Sequence, residues 1–390
     1  MKRFLLCCAM LMGLYGCNPP QTTSPVTGAP VTAKDSKLPV FTLAWSEYPS
    51  WSTFGVADME GILKGKEGEV SALEQKWGVD IVLTEATYDA CIQYYGAKTV
   101  DAACLTNMDC LSPAIGRPTT AILPTSTSFG ADAVVAVDIA EVQNLKGHAV
   151  YGLEKSVSEY VFVRGLQELG ENPADYKFAQ MDPAAAATAL QTNSPNVKAI
   201  CVWNPFKMQS VETRPGAKVI FDSTKIPGEI IDMVVVGDDS LKRPGGKEFA
   251  GCVCEAYYAV CSRMNDSATR NKTLVDLGSK FSNLSAEQMA VVCKETQFYD
   301  TPAKGVEVYT SPDLPKIMDR VVGFCVEKQI VDKKPIVGYP STNLTVESDL
   351  KFDPQYMQNL TPKVTASETD NATTLVDIDP TLTPGWVDPR

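Results

Sequence analysis

The stretch HAVYGLEKSVSEYVFVRGLQELG, residues 148–170, decides the fold. Its first six residues form a short apolar run that predicts a strand, and residues 158–170 have the apolar spacing of a helix. The same order follows at once, because residues 176–181 predict a strand, residues 182–191 a helix and residues 197–203 another strand. Alternation of this kind is typical of parallel strands covered by helices, so this part of the chain predicts an α/β sheet.

The chain before this stretch shows the same alternation, and two apolar runs lie on either side of the stretch. Strands are predicted over residues 40–45, 79–83, 101–106 and 119–124, with helices up to residue 76 and over residues 88–98. The two apolar runs are residues 131–137 and 231–236. We expect them to be paired crossover strands that link two lobes, with the chain returning to the first lobe after Gly237. The chain as a whole therefore predicts an α/β fold with two sheets.

These runs divide the chain into two predicted lobes. Lobe 1 is discontinuous and comprises residues 38–130 and residues 237–360, whereas lobe 2 comprises residues 131–236. A chain of 390 residues is long enough for two cores, and its 44% hydrophobic and 21% charged residues are ordinary values for a globular protein. Composition therefore excludes disorder for the bulk of the chain.

Net charge and histidine content exclude several functions. With 35 Lys+Arg against 47 Asp+Glu the formal charge is −12, which disfavours nucleic acid as a partner because binding to phosphates depends on cationic side chains. The only histidine, His148, lies in a turn that leads into a strand and is expected to face solvent. A two-histidine metal site is ruled out, and a Ser/His or Cys/His pair would have to use His148. We therefore expect no cofactor, no metal and no catalytic residue.

The N-terminus has the features of an export signal. Lys2 and Arg3 are followed by an apolar stretch over residues 4–14 and then by a small residue before Cys17. The stretch is shorter than the ~20 residues that a permanent membrane helix needs. Residues 1–16 resemble a bacterial lipoprotein signal, which implies cleavage before Cys17 and acylation of its thiol. An ordinary secretory signal followed by a chance cysteine is the alternative.

The segments that flank the predicted lobes have the composition of exposed chain. Residues 17–37 are rich in Pro, Thr and Ser and predict a flexible tether. Residues 361–390 are rich in Thr, Asp and Pro and predict an exposed tail. We therefore expect a protein outside the cytoplasm that is held to the membrane by its N-terminal lipid.

The cysteines that follow Cys17 lie mostly in apolar strings. They are odd in number, so at least one stays unpaired, and no Cys-x-x-Cys or zinc-site spacing occurs. We expect buried thiols that behave as small core residues, and one or two disulfides within residues 252–325 are the alternative. The cysteines are Cys91, Cys104, Cys110, Cys201, Cys252, Cys254, Cys261, Cys293 and Cys325.

Several short segments carry a resemblance to a known family. They are AWSEYPSW at residues 44–51, LTNMD at 105–109, LKGHAVYGLEKSVSEY at 145–160, CVWNPF at 201–206, IFDSTKIPGEIIDMVVV at 220–236 and FDPQYM at 352–357. In these segments the chain resembles the nitrate/taurine-type (NitT/TauT, sulfonate-binding-like) solute-binding proteins of ABC importers, and most closely the branch encoded beside urea carboxylase. It departs from that family in its cysteines and its long acidic tail.

The resemblance implies a fold, a function and partners. The implied fold is the two-lobed, type II periplasmic-binding-protein fold, with the ligand cleft between lobes that two crossover strands join. The implied function is capture of a small nitrogen-rich solute, guanidine or urea, by lobe closure, and its delivery to a membrane permease that works with an ATPase subunit. We expect a monomer. Guanidine and urea both offer planar N–H donors, so the choice between them stays open.

A pocket for guanidinium needs carboxylates and an aromatic face, because an unpaired charge is costly to bury. Predicted strand ends supply such groups at the edge where ligands bind in open α/β sheets. These residues are Trp45, Tyr48, Trp51, Asn107, Asp109, Glu154, Trp203 and Asn204. Packing is the equal alternative for Trp51 and Trp203.

Asp109 and Glu154 are the predicted ion-pair partners of the ligand. The alternative for Asp109 is a cap within its loop, and the alternative for Glu154 is a surface pair with Lys155. Ser156 and Ser158 precede a helix whose start receives the ligand in relatives that bind anions. An acid beside that helix start argues against sulfonate or nitrate and for a cation or a neutral diamide.

Three further acids complete the predicted site. Asp182 ends a strand, although an Asp-Pro pair also commonly begins a helix. Glu229 and Asp232 flank the presumed second hinge. Each of the three is a candidate ligand contact.

Other functions are compatible with parts of this pattern. The ligand could be another small solute of the nitrate, sulfonate, taurine or thiamine-pyrimidine group. The same fold also hosts a thiamine-pyrimidine synthase, an enzyme whose chemistry would want histidine and exposed cysteine. A structural or adhesive lipoprotein is the third class. Neither of the last two explains strand ends that carry both polar and aromatic groups.

Overall fold

The computed structural model describes residues 37–342 and 347–360. The predicted signal sequence, Cys17 and the predicted tail lie outside the described residues, as does the predicted tether apart from Lys37. No helix of the described part is long and apolar enough to cross a membrane.

Apolar, β-branched runs form the strands, most of which are buried on both faces. The strands are β1 Val40–Trp45, β2 Asp80–Glu85, β3 Ala102–Thr106, β4 Thr119–Ser128, β5 Asp132–Val137, β6 Ala149–Gly152, β7 Lys177–Gln180, β8 Ala199–Trp203, β9 Ala217–Asp222, β10 Ile231–Gly237, β11 Thr296–Phe298, β12 Val337–Gly338 and β13 Leu350–Phe352.

Helices begin where the sequence offers a side chain to cap the first free N–H groups. Ser156 accepts a hydrogen bond from the Ser158 amide at 3.2 Å, and Asp182 accepts one from the Ala185 amide at 3.0 Å. The helices are α1 Ser52–Met59, α2 Ala72–Trp77, α3 Tyr88–Gly96, α4 Leu111–Gly116, α5 Val157–Glu168, α6 Pro183–Gln191, α7 Phe206–Thr213, α8 Asp238–Leu241, α9 Gly246–Asn265, α10 Arg270–Ser279, α11 Ala286–Glu295, α12 Pro302–Thr310, α13 Leu314–Glu327 and α14 Gln355–Gln358.

The strands assemble into two sheets. The larger sheet has the order β12-β13-β4-β10-β3-β1-β2, with β11 paired to β4, and the smaller has the order β7-β6-β8-β5-β9. β1 runs parallel to β2 and β3, and β6 runs parallel to β7 and β8, whereas β5 and β10 are antiparallel to their neighbours. The predicted α/β fold with two sheets is confirmed.

The two apolar runs predicted to pair as crossover strands are strands of different sheets. β5 lies between β8 and β9, and β10 lies between β3 and β4, so the predicted pairing of these runs with each other is wrong. An apolar run shows that a strand is buried on both faces and says nothing about its partner. Residues 231–236, which were placed in lobe 2, therefore belong to the larger sheet, and the remaining lobe boundaries stay a prediction.

The chain crosses between the sheets at the ends of these strands. The hydroxyls of Ser128 and Ser223 lie 2.8 Å apart, and the Gly130 amide donates to the Ser223 hydroxyl at 2.7 Å. The Thr127 hydroxyl donates to the Ile230 carbonyl at 2.7 Å. Hydrogen bonds thus tie the segment that leaves the larger sheet to the segment that returns to it.

The cysteines that follow Cys17 all carry free thiols in this structure. Cys293 is half-buried and the other eight are buried, which confirms the expected buried thiols over the alternative of disulfides. Burial raises the pKa of each of these thiols, for example that of Cys91 to about 12, so they stay protonated and act as small core groups. His148 is exposed, as its position before β6 predicts.

Candidate ligand-binding site

A small cavity lies where the two sheets meet. Its walls come from the carboxyl ends of β1, β3 and β8, from the first residues of α3 and α5, and from the starts of β5 and β10. We call this cavity the aromatic cage. It is lined by Ser46, Tyr48, Trp51, Tyr88, Thr106, Asp132, Val157, Trp203, Ile230 and Asp232.

Four aromatic rings form a continuous series along the cage wall. The ring centroids of Tyr48 and Trp51 lie 4.8 Å apart, and those of Trp51 and Tyr88 lie 5.4 Å apart in a stacked arrangement. Tyr88 meets Trp203 edge-on at 5.8 Å. All four side chains are buried. Because the face of an aromatic ring is electron-rich, such a wall favours a cation or a planar N–H donor.

Two carboxylates, Asp132 and Asp232, share this cavity. Asp132 is 3% exposed and Asp232 is 1% exposed, and no ion pair within the described residues includes either. The Ser126 hydroxyl donates to Asp232 at 2.5 Å. The register explains why the two meet, because Asp132 pairs with Trp203 in the smaller sheet and Asp232 pairs with Thr106 in the larger.

Burial without a basic partner perturbs both acids. It raises the pKa of Asp132 to about 6, although hydrogen bonding to Ser128 and the charge of Lys207 oppose the rise. It also raises the pKa of Asp232 well above its usual range, and the negative charge of Asp132 adds to that effect. Lys207 cannot neutralise the pair because its ammonium is held by Glu295 at 2.6 Å. The cage is therefore acidic and poorly solvated.

One polar atom of the cage side chains, the Trp51 indole N–H, has no hydrogen-bond partner within the described residues. The Tyr48 hydroxyl interacts with Asp232 and Thr296. Burial raises the pKa of Tyr48 well above its usual range, and the charges of Asp232 and Asp132 add to this, so the hydroxyl stays neutral. A buried polar group without a partner costs about 1–3 kcal/mol. Such atoms beside a cavity point to a ligand that would satisfy them.

A larger cavity of about 690 Å³ adjoins the cage and shares Ser46, Tyr88 and Trp203 with it. We call this the outer cavity. Its lining contains acids and no Lys or Arg. It is lined by Ser46, Glu47, Glu85, Ala86, Thr87, Tyr88, Asp89, Leu153, Gln180, Asp182, Pro183, Ala184, Trp203 and Phe206.

Comparison with known proteins decides the fold. No family model matches this chain, and no curated protein sequence matches it. Among solved structures, it is similar to the periplasmic aliphatic sulphonate-binding protein SsuA of Escherichia coli (TM-score 0.58, 16% identity, 76% of this chain and 89% of that chain covered). The chain has the periplasmic-binding-protein fold.

Two further solved structures show the same likeness. The alkanesulfonate-binding protein SsuA of Xanthomonas axonopodis pv. citri, bound to MOPS, gives a TM-score of 0.57 at 13% identity, with 77% of this chain and 96% of that chain covered. The ligand-binding component of an ABC-type import system from Staphylococcus aureus, with zinc bound, gives 0.60 at 12% identity, with 82% and 98% covered. At these identities the likeness establishes the fold and not the ligand.

Several residues predicted from the sequence line these cavities. Tyr48, Trp51, Trp203 and Asp232 line the aromatic cage, and Asp182 lines the outer cavity. Asp182 also caps α6, so the same residue begins a helix and lines a cavity. The structure thus brings together side chains from the loop after β1, the end of β8 and the start of β10.

Asp109, a predicted ion-pair partner, lies behind the cage wall. It accepts hydrogen bonds from the Tyr88 hydroxyl at 2.7 Å and from the Thr106 hydroxyl at 2.9 Å. Burial raises the pKa of Asp109 to about 6, although these two hydrogen bonds oppose the rise. Asp109 therefore positions Tyr88 and Thr106, both of which line the cage.

The other predicted ion-pair partner, Glu154, is exposed and lines neither cavity. Its backbone amide donates to the Gln180 side chain at 2.7 Å. Trp45 is buried below the cage floor against Gly55, where a Cβ atom would lie 2.8 Å from the indole. Trp45 is a packing residue in this structure.

The two serines predicted at the start of α5 lie beside the cage without lining it. Ser156 caps the helix and donates to the Leu153 carbonyl at 2.7 Å, so its hydroxyl is fully used. The Ser158 hydroxyl is buried and has no partner within the described residues. Between them, Val157 supplies the apolar contact of this helix with the cage.

Three more predicted contacts make hydrogen bonds to other parts of the protein. Asn107 donates to the Glu229 carbonyl at 3.0 Å and accepts from the Ile231 amide at 3.1 Å. Asn204 donates to Glu295 at 2.7 Å. The Glu229 carboxylate is bound by Arg164 and Arg320. None of Asn107, Asn204 and Glu229 lines the cage or the outer cavity.

Six cage residues were not predicted from the sequence, namely Ser46, Tyr88, Thr106, Asp132, Val157 and Ile230. Asp132 carried a usable signal, since an acid at the head of a fully buried apolar strand needs a reason to be there. Tyr88 stands at the first position of α3 after the end of β2, which is also a favoured place for a ligand contact.

Proposed function

We propose that this protein is the extracytoplasmic solute-binding component of an ABC importer and that its ligand is a small organic cation of guanidinium type. The observation that carries the proposal is the pair Asp132 and Asp232, two buried acids without a basic partner inside a wall of aromatic rings. A bound cation would neutralise the acids and stack on the rings.

The charge of the cage separates the candidate ligands. A bound cation would favour the ionised form of both acids, whereas an anion such as a sulfonate or nitrate would find no Lys or Arg in the cage lining to pair with. Urea would stack on the rings equally well, yet it would leave the acids without a counter-charge. The cage therefore favours guanidinium over urea and over the sulfonates named for two of the similar structures.

The remaining parts of the proposal follow from the fold. A ligand that touches wall residues of both sheets, such as Asp232 in β10 and Asp132 in β5, stabilises the closed arrangement by its differential affinity for it. A permease with its ATPase subunit would then receive the ligand when the lobes open. We further propose a monomer held at the membrane by lipid on Cys17, and no chemical change of the ligand.

Titration calorimetry tests this function with guanidinium, urea, taurine, nitrate and a thiamine pyrimidine. We expect guanidinium to bind most tightly and to be recovered unchanged. Each of Asp132→Asn and Asp232→Asn should weaken guanidinium about tenfold or more, since a charge-assisted hydrogen bond contributes about 1.5–3 kcal/mol. Urea should lose less.

The control is Asp332→Asn, which removes an exposed acid outside both cavities. It should leave the affinity for guanidinium unchanged. Equal losses for guanidinium and urea in the two cage variants would contradict a cationic ligand, and conversion of any ligand by the pure protein would contradict a binding function.

A further inference from the structure

We infer that the native ligand carries a neutral hydrogen-bond acceptor, a hydroxyl or carbonyl oxygen, on its cationic head. It is then a substituted guanidinium rather than guanidinium itself. The inference rests on the proposed function, because it names the ligand class of the same site. The Trp51 indole N–H donates to this acceptor, which makes Trp51 a specificity-determining residue of the cage.

Trp51 lines the cage and carries a buried donor. Its side chain is 3% exposed, and its indole N–H has no hydrogen-bond partner within residues 37–342 and 347–360. An indole nitrogen can only donate a hydrogen bond. Leaving such a donor unpaired in a buried place costs about 1–3 kcal/mol. An acceptor that arrives with the ligand removes this cost.

The neighbours of Trp51 explain why the described part of the protein supplies no acceptor. Tyr88 stacks on the indole at 5.4 Å between ring centroids, and Tyr48 lies against it at 4.8 Å. The Tyr88 hydroxyl donates to Asp109, and the Tyr48 hydroxyl interacts with Asp232. Trp51 is thus packed against rings whose polar atoms are engaged elsewhere. The cage is the place from which an acceptor can reach it.

Unsubstituted guanidinium does not satisfy this donor. All of its polar atoms are N–H donors, which match the carboxylates of Asp132 and Asp232 but leave the Trp51 N–H facing another donor. Urea offers a carbonyl oxygen to Trp51 and no charge to the two acids. A guanidinium that carries an oxygen substituent provides the charge for the acids and the acceptor for the indole.

The lining of the cage indicates that the acceptor is neutral. It contains no Lys or Arg with which a carboxylate or sulfonate group of the ligand could pair, and an unpaired charge is costly to bury. A hydroxyl or carbonyl oxygen needs one donor, and Trp51 has one. A site that hydrogen-bonds a substituent discriminates strongly against the analogue that lacks it, because the site's own polar group is then left unpaired. Trp51 therefore selects an oxygen over a methyl group at the same place.

The test compares two monocations of nearly equal size. They are N-hydroxyguanidine, which carries an acceptor oxygen, and N-methylguanidine, which carries a methyl group in its place, with guanidinium as the reference. Titration calorimetry of the full chain at neutral pH should show hydroxyguanidine binding about tenfold more tightly than methylguanidine. In proton NMR of the wild type, one of the five indole N–H resonances should move further downfield with hydroxyguanidine than with methylguanidine.

Variants assign the preference to the indole N–H. Trp51→Phe removes the donor and keeps an aromatic ring, so the hydroxyguanidine-to-methylguanidine affinity ratio should fall to about one. Guanidinium should bind this variant about as tightly as the wild type, since it makes no hydrogen bond to the indole. The matched control is Trp77→Phe, which removes a half-buried indole outside the cage whose N–H donates to Glu255 at 2.7 Å. The control should leave the affinity ratio unchanged.

The outcomes separate this inference from the proposed function. Guanidinium and methylguanidine binding as tightly as hydroxyguanidine would overturn the inference and leave the proposed function standing. A tenfold preference that survives Trp51→Phe would also overturn it, because the oxygen would then meet another donor. The NMR comparison uses the wild type, so equal shifts with both probes would overturn the inference even if Trp51→Phe fails to fold. A failure of all three cations to bind would overturn both.

Discussion

The aromatic cage and the surroundings of Glu229 both contain buried acids, but they differ in the partners that they offer to these acids. Glu229 is 5% exposed, much like the cage acids Asp132 and Asp232. Its carboxylate accepts hydrogen bonds from Tyr160 at 2.6 Å, from Arg164 at 2.8 and 3.0 Å and from Arg320 at 3.0 Å. The side chains of the cage acids interact with hydroxyl groups and form no ion pair within the described residues.

The pKa values follow this difference. Burial works to raise the pKa of Glu229, but hydrogen bonds from Arg164 and Tyr160 and the two arginine charges hold it below its usual value. Burial dominates at Asp132 and Asp232, and the pKa of each rises. Glu229 is neutralised by the protein itself, whereas Asp132 and Asp232 form no ion pair within the described residues. This difference separates a structural acid from a candidate ligand contact.

The largest expected effect is a loss of stability when Glu229, the acid paired with arginines, is replaced. Glu229→Gln leaves Arg164 without its buried partner and should lower the free energy of unfolding by about 3 kcal/mol. This value is at the low end for a buried ion pair, because the second partner, Arg320, is half-exposed. Denaturant titration of the ligand-free protein measures this loss.

Asp232→Asn is the matched change in the cage. It removes an acid whose buried charge has no cationic partner, so the ligand-free protein should be as stable as the wild type or more stable. If Asp232→Asn lowered the free energy of unfolding as much as Glu229→Gln does, Asp232 would also stabilise the fold. The distinction between a structural acid and a candidate ligand contact would then be wrong.

The next effect is the pH dependence of stability. The pKa of Asp132 is about 6 in the folded protein and ~3.9 in an unfolded chain, so between these values the folded state binds more protons than the unfolded state. Its contribution to stability is full below pH ~4 and is lost as the pH rises through about 6.

This loss can be isolated by comparing the wild type with Asp132→Asn. The wild type should lose about 2 kcal/mol more unfolding free energy than the variant between pH 4.5 and pH 7. If the free energy of unfolding changes with pH by the same amount in both proteins, the pKa of Asp132 is not raised.

The smallest effect is expected behind the cage wall, at Asp109. Asp109→Asn weakens the hold on the Tyr88 hydroxyl without removing a ligand contact, so guanidinium should bind about fivefold more weakly, a change of about 1 kcal/mol. Tyr88→Phe removes the same hydrogen bond from the other side.

A double variant checks this assignment by calorimetry. If Asp109 acts through Tyr88, the double variant Asp109→Asn, Tyr88→Phe should lose about as much guanidinium affinity as either single variant. Additive losses would show that Asp109 meets the ligand directly, as the sequence first suggested.

Local elements were predictable because they depend on neighbouring residues. The strand predicted over residues 40–45 coincides with β1 Val40–Trp45, and the helix predicted over residues 158–170 corresponds to α5 Val157–Glu168. Periodicity and capping are properties of a few consecutive residues. The same reasoning located Tyr48, Trp51 and Trp203 at strand ends, where the structure lines the cage with them.

Pairing across the fold was not predictable in the same way. Glu229 and Asp232 lie three residues apart and were equal candidates, yet Glu229 meets Arg164 and Arg320, 65 and 91 residues away along the chain, and Asp232 does not. β10 explains part of the difference, since Asp232 lies within the strand and Glu229 lies before it.

The sequence by itself determined the alternation of strands and helices, the burial of the thiols and the presence of acids and aromatic rings at strand ends. Only the tertiary structure decided which acids keep a basic partner and that Asp132, at the head of a strand of the smaller sheet, faces the same cavity as Asp232. The physical reason is that burial and Coulomb interaction depend on distance through space, and the two acids are brought together by the pairing of separate sheets.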